Sequence, residues 1–221
     1  MPHYVRPEAV VFDWDNTLVD TWPVLTEAIN ATLRHMGHSQ WTAEEVRVKT
    51  ARSMKDYFPE LFGERWEEAG RFFHETFLEH HLRLLKPLPG VVEMLRRLKA
   101  ENIYLAVVSN KIPKILKIES ETLGWCDLFG RLVGSGVAGR DKPAPDPLYH
   151  ALQESGIEAG PAVWFIGDAA VDIQCGKNAG CRTALVALDG PQDMALACNP
   201  DFLFNSYDEL IDHLLETKRF Q

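Results

Sequence analysis

Residues 9–18, Ala9-Val10-Val11-Phe12-Asp13-Trp14-Asp15-Asn16-Thr17-Leu18, join an unbroken apolar run to two carboxylates that stand two residues apart. An apolar run without alternation reads as a strand buried on both faces, the habit of a parallel sheet covered by helices. Asp13 and Asp15 then lie at the strand's exit. Open α/β sheets gather their ligands beyond the carboxyl ends of strands, so both acids project into a crevice. Their mutual repulsion calls for a cation there. A hard dication such as Mg²⁺, held by one or two carboxylates beside a phosphate, is the natural partner. Taken alone, the segment reads equally well as a turn rich in Asp and Asn.

Three more segments repeat the pattern. Leu105-Ala106-Val107-Val108 runs into Ser109-Asn110-Lys111, which places a hydroxyl and an amide at a second strand exit. Lys142 stands in Asp141-Lys142-Pro143-Ala144-Pro145, where the prolines keep it out of a helix interior and make it a fixed point charge suited to phosphate. Val163-Trp164-Phe165-Ile166 leads into Gly167-Asp168-Ala169-Ala170-Val171-Asp172, with two further carboxylates at its end. Each piece alone has a structural explanation: a turn, an exposed lysine, a second acidic turn. Their joint occurrence at successive strand exits points to a phosphate site.

Strands are predicted at 103–108, 131–134, 163–166 and 183–188, and helices at 91–100, 147–154 and 173–179. Such alternation builds an α/β fold, a doubly wound parallel sheet with right-handed crossovers. Residues 21–86 break it, for they show no strand signal. Pro23 opens a helix along which Leu25, Ile29, Leu33 and Met36 recur until Gly37. Thr42-Ala43-Glu44-Glu45 has the form of a capping box, and Trp66, Ala69, Phe73, Phe77, His80 and Leu84 mark a long helix ending before Pro87. The expected division is therefore a core of residues 1–20 and 87–221 with an all-helical cap, 21–86, inserted after the first strand. Trp66, Phe72, Phe73 and Phe77 are expected to form the insertion's own core.

With 221 residues, 46% of them hydrophobic, the chain can bury a full core. The formal charge of -9, with no dense basic block, argues against nucleic-acid and anionic-membrane surfaces. The first residues lack an apolar signal core and no run of about 18 apolar residues occurs, so the expected location is cytoplasmic. Cys126, Cys175, Cys181 and Cys198 form no C-x-x-C pair and read as reduced packing residues. His74-Glu75 opens an H-E-x-x-H pattern, but Leu78 takes the place of the second His. Gly134-Ser135-Gly136-Val137-Ala138-Gly139 matches G-x-G-x-x-G, yet the prolines that follow forbid the helix such a fingerprint must open, leaving a flexible approach to Lys142.

Together, Asp13-x-Asp15-x-Thr17, Ser109-Asn110, Lys142-Pro143 and Gly167-Asp168-x-x-x-Asp172 resemble the four motifs of the haloacid dehalogenase-like (HAD) hydrolase superfamily over the whole chain. The resemblance implies a Rossmann-like core and a Mg²⁺-dependent phosphatase working through an aspartyl-phosphate. It implies that Asp13 is nucleophile and metal ligand, that Asp15 is acid/base and offers its backbone carbonyl to the metal, and that Asp168 is the second metal carboxylate. Asp172 becomes an outer or water-mediated ligand. Ser109, Asn110 and Lys142 cradle the phosphoryl group, and Thr17 belongs to the substrate-contacting set. Two positions depart from the commonest pattern. Asn16 replaces a frequent Gly, which the left-handed tolerance of Asn permits, and Ala169 replaces Ser or Thr and removes a hydrogen bond.

Pro89-Gly90, Ser109-Asn110-Lys111 and the helical insertion are most similar to phosphoglycolate phosphatase-like enzymes, with a phosphomutase of the β-phosphoglucomutase type as the alternative. A phospho-Asp signalling module shares the chemistry but lacks the insertion, and a dehalogenase would lack Asp15. The expected partner is one small phosphate ester, phosphoglycolate-like or a sugar phosphate, bound by a monomer or homodimer. Within Thr50-Ala51-Arg52-Ser53-Met54-Lys55-Asp56, Arg52 is the candidate grip for a second anionic group of the substrate.

Overall fold

The computed structural model describes residues 6–50, 54–188 and 193–215. The chain divides into two compact units, one of residues 1–19 and 87–221, the other of residues 20–86.

The first unit holds a parallel sheet of six strands: β1 (Ala9–Phe12), β2 (Tyr104–Val108), β3 (Arg131–Val133), β4 (Val163–Gly167), β5 (Arg182–Val186) and β6 (Phe202–Phe204). Their order is β3-β2-β1-β4-β5-β6. The chain therefore builds outward from β1 on one side and then crosses to the other. That reversal puts the switch point between β1 and its two neighbours, where such sheets open a crevice. Phe12 is in register with Val107 on one side and Ile166 on the other, so Asp13, Ser109 and Asp168 leave the sheet at nearly one level.

β1 is buried along its whole length, as its unalternating sequence requires. Ala9 and Val11 share one face with Ala106, Val108, Val163 and Phe165, against which Leu148, Leu152 and Cys175 pack. The covering helices include α7 (Asp146–Leu152) and α8 (Ala170–Asn178) on this face, while α5 (Val91–Ala100) packs on β2 and against α10 (Tyr207–Leu215). α6 (Pro113–Thr122) packs against β3, and the four-residue α9 (Asp193–Leu196) against α8. The helix expected at 91–100 is found there, and the other strands and helices match the sequence prediction to within three residues at their ends. β6, α6, α9 and α10 are absent from the sequence prediction. β6 has only three residues and α6 carries Glu119 and Ser120 on its buried face, which blurs its apolar period.

The second unit comprises α1 (Trp22–His35), α2 (Ala43–Lys49), α3 (Met54–Phe62), a 3-10 turn at Gly63–Arg65 and α4 (Trp66–Leu84). Its core joins Ile29, Leu33 and Met36 to Val46, Tyr57, Phe58, Phe62 and Ala69. The Thr42 box forms as expected: Thr42 Oγ1 accepts from the Glu45 amide at 3.1 Å and Glu45 Oε2 from the Thr42 amide at 2.9 Å. α3 is a helix that the sequence pattern does not announce; Tyr57, Phe58 and Phe62 gain enough burial to carry it past Pro59. One expectation needs correction. Trp66 stands among the exposed large apolar residues instead of in the core, and Phe72 stacks on His35 with ring centroids 4.1 Å apart.

Among the described residues no helix is long and apolar enough to cross a membrane. Cys175 and Cys181 are buried. Burial pushes the Cys175 thiol up to about 12 and Cys181 to about 11, so both behave as packing residues.

Candidate active site

At the carboxyl edge of the sheet, Asp13 extends the ladder, its amide donating to Ile166 O at 2.9 Å. That bond aims a buried carboxylate out of β1. Lys142 Nζ donates to Asp13 Oδ1 at 2.5 Å and to Asp172 Oδ1 at 2.7 Å, and its side chain is only 3% exposed. The lysine reaches so deep because its backbone is clamped. Lys142 N donates to Asn110 Oδ1 while Asn110 Nδ2 donates to Lys142 O, each at 3.1 Å. From α8, Asn178 Nδ2 donates to Pro143 O at 2.9 Å. Asn110, expected to touch substrate, thus serves visibly as the anchor of the lysine segment.

The carboxylate oxygens of Asp13, Asp168 and Asp172 lie within 4.8 Å of one another, and all three residues are buried. One lysine faces three acids. Desolvation raises Asp13 to about 7, with Asp172 and Asp15 adding to the rise and Lys142 opposing it. Burial, then Asp13 and Asp172, hold Asp168 well above the ordinary carboxylate range. Burial disfavours the ammonium of Lys142, yet Asp13 and Asp172 outweigh it and keep the lysine firmly protonated. A surplus of buried anionic oxygen of this kind fits a hard, oxygen-seeking dication.

The acids differ in their remaining partners. Both oxygens of Asp172 are engaged, Oδ1 by Lys142 and Oδ2 by the Ala169 amide at 2.9 Å, so this residue positions the lysine and caps α8. A Cβ on Gly167 would collide with the Asp172 side chain, which explains the glycine. Asp168 receives a hydrogen bond from Thr17 Oγ1 at 3.1 Å, and the Thr17 carbonyl accepts one from the buried Tyr207 hydroxyl of α10. Thr17 therefore reaches the acidic cluster itself. Asn16 has φ 57°, the left-handed turn its sequence position demands.

Asp15 stands beside this cluster, its side chain 32% exposed. Lys111 Nζ donates to Asp15 Oδ1 at 2.5 Å and lies 3.0 Å from Glu119 Oε2. Trp14 Nε1 donates to the same Glu119 oxygen at 2.7 Å. Sequence reasoning gave Lys111 and Glu119 no role. One signal was available: Glu119 follows Ile115 by four residues and Leu116 by three, which puts a carboxylate on the apolar stripe of α6. Ser109, also buried, accepts from the Lys111 amide at 3.2 Å, a bond that leaves its hydroxyl proton for another acceptor.

The G-x-G-x-x-G segment folds back on Asp141, whose Oδ2 accepts from Ser135 Oγ at 2.6 Å and Oδ1 from the Gly136 amide at 2.7 Å. No helix follows until α7. A Cβ on Gly134 would lie 2.8 Å from Lys111 O, so that glycine serves close packing at the β2 exit. These bonds tie the segment down, contrary to the flexible approach expected of it. Arg52 lies outside the described residues.

A family model described as haloacid dehalogenase-like hydrolase matches residues 10–186. A phosphoglycolate phosphatase of Chromobacterium violaceum is 32% identical over 214 residues, covering 93% of this chain and 95% of that protein. An N-acetylmuramic acid 6-phosphate phosphatase of Pseudomonas aeruginosa is 31% identical over 222 residues, covering 95% and 96%. The crystal structure of a HAD family hydrolase from Deinococcus radiodurans, described with bound phosphate and sodium, superposes with a TM-score of 0.79 at 22% identity, covering 96% of this chain and 97% of that one.

Proposed function

We propose a mechanism from the premise that the chain belongs to the haloacid dehalogenase-like hydrolases, in their phosphoglycolate phosphatase-like branch, and is a phosphoric monoester hydrolase. Its substrate is a small phosphate monoester, phosphoglycolate-like or a sugar phosphate, and its cofactor is Mg²⁺. The reading rests above all on one observation, the convergence of Asp13, Lys142, Asp168 and Asp172 at the switch point of the sheet. The phosphatase names of the relatives support hydrolysis over transfer back to a substrate. A cytoplasmic setting is part of the same proposal.

An Asp13 oxygen attacks phosphorus, and the bond from phosphorus to the ester oxygen breaks as Asp15 passes a proton to that oxygen. Asp15, now a carboxylate, takes a proton from the water that attacks the aspartyl-phosphate. Inorganic phosphate leaves and Asp13 is restored. Lys142 has three N–H donors, two of them on Asp13 and Asp172, and the third meets a phosphoryl oxygen. The Ser109 hydroxyl donates to another. Asp13, Asp168 and the Asp15 carbonyl would hold Mg²⁺, with Asp172 behind them, and the ion supplies positive charge against both the acid surplus and the phosphoryl oxygens.

A turnover screen over small phosphate esters, phosphoglycolate and sugar phosphates included, with Mg²⁺ or with chelator, tests the reading. Asp13→Asn keeps shape but cannot form the aspartyl-phosphate, so turnover should vanish and intact mass should show no phospho-enzyme. Activity within about tenfold of the parent refutes the nucleophile.

A further inference from the structure

Asp15 must carry a proton to one atom and later take one from another, which demands that its carboxylate be held in place. Its side chain is the most exposed of the acids at the site, and it is held by contacts that reach beyond its own turn. We infer that Lys111, Glu119 and Trp14 form a closed tether for the Asp15 carboxylate, with Glu119 and Lys111 as positioning residues for the proton donor. The inference rests on the proposed role of Asp15 and deepens it.

The geometry closes a ring. Asp15 Oδ1 meets Lys111 Nζ at 2.5 Å, Lys111 Nζ lies 3.0 Å from Glu119 Oε2, and Glu119 Oε2 accepts from Trp14 Nε1 at 2.7 Å. Trp14 is joined covalently to Asp15, so the ring returns to its start. Each member restrains the next. A lysine on a four-carbon stem held by one carboxylate keeps considerable freedom, whereas a second carboxylate fixes its ammonium. The Lys111 and Glu119 side chains are 6% and 2% exposed, so these contacts are scarcely diluted by solvent. Trp14 is itself immobile, fully buried and packed edge-on against Trp125 with ring centroids 5.6 Å apart.

An exposed pair of this kind would hold nothing in place, since surface ion pairs contribute little. Burial gives this one its stiffness. With Oδ1 held by Lys111, the plane of the carboxylate, and with it the direction of Oδ2, is restrained. Displacing such a group by about 1 Å costs on the order of 10²-fold in rate.

Glu119→Gln tests the tether, because the amide keeps volume but offers Lys111 no second charge. Trp14→Phe is the companion, keeping an aromatic ring while releasing Glu119. Each is compared with Asp15→Asn and the parent, using an alkyl phosphate and p-nitrophenyl phosphate, whose leaving group departs without a proton. Rapid quench gives the rate of phospho-enzyme formation, steady state gives kcat and KM, and thermal melting confirms folding. For Glu119→Gln the expected result is a loss of about 10- to 100-fold in kcat and in phosphorylation by the alkyl ester. KM should stay within about threefold and phosphorylation by the aryl ester should be nearly preserved. Trp14→Phe should show the same split more weakly. If Asp15→Asn splits the two esters while Glu119→Gln and Trp14→Phe slow both alike, raise KM alone, or change nothing, the tether is wrong and the role of Asp15 stands. If Asp15→Asn itself fails to split them, both the proton-donor role and the tether fall. Should Glu119→Gln melt before assay, Trp14→Phe decides by the same criterion.

Discussion

Replacing Lys142 by Met removes the cation that touches both Asp13 and Asp172 while keeping the length of the side chain. Lys142 is almost fully buried, with its Nζ at 2.5 and 2.7 Å from the two carboxylates. Breaking a buried pair by deleting one partner costs about 3–5 kcal/mol, since the other charge stays behind unpaired. For a chain of this size each kcal/mol moves Tm by about 2–4 °C, so a fall of about 6–20 °C is expected. The sign with pH follows from Asp13. Its carboxyl titrates near 7 in the folded chain against 3.8 ordinarily, so its contribution to stability is full below about 3.8 and is lost as pH rises through about 7. Lys142 lowers that value, so its removal raises it further and extends the loss to higher pH. The difference in Tm between Lys142→Met and the parent, followed by circular dichroism in chelator, should therefore be small near about pH 5 and largest near about pH 8. Equal penalties at both pH values, or a shift under about 2 °C near pH 8, would show that Lys142 is not the counterion of Asp13.

Because protons compete for the raised carboxyls of Asp13 and Asp168, the Mg²⁺ midpoint measured by thermal shift should fall as pH rises from about 6 to about 8. A midpoint independent of pH would dissociate metal binding from these acids. Asp168→Ala should raise the Mg²⁺ concentration needed for turnover by about tenfold or more, and an unchanged requirement removes it from the ligand set. Arg52→Ala should lower kcat/KM for the best natural substrate far more than for a generic aryl phosphate. Equal losses on the two would discard Arg52 as a reader of the substrate.

Most of the site could be read from sequence because parallel sheets translate order along the chain into proximity. A buried strand in such a sheet is an apolar run, and whatever follows the run lies at the carboxyl edge. Asp13, Ser109 and Asp168 each follow one, and the register of Phe12 with Val107 and Ile166 brings them level. Lys142 was legible for a different reason, since Pro143 and Pro145 leave it nowhere regular to go. Asn110 and Thr17 are named by the sequence as substrate contacts, and the structure shows contacts of theirs that spacing cannot: the first is paired to the Lys142 backbone and the second to Asp168.

The tether around Asp15 and the support behind Thr17 were hidden because they depend on tertiary reach. Glu119 lies 105 residues from Trp14, and Tyr207 lies 190 residues from Thr17. Neither belongs to a local pattern, and Tyr207 sits beyond the last residue that the family model matches. Their common feature is a polar group on a largely apolar helical face. Glu119 shares the buried side of α6 with Ile115 and Leu116, as Tyr207 shares that of α10 with Leu210, Ile211 and Leu214. Burial without a partner costs a carboxylate or a phenol dearly. A polar residue kept on such a stripe therefore announces that something distant must meet it, and in this chain each of the two meets the loop that carries Asp13 and Asp15. The loop that carries Asp13 and Asp15 is in this sense supported from behind by two helices whose sequences name no chemistry, and its geometry is a property of the whole core unit.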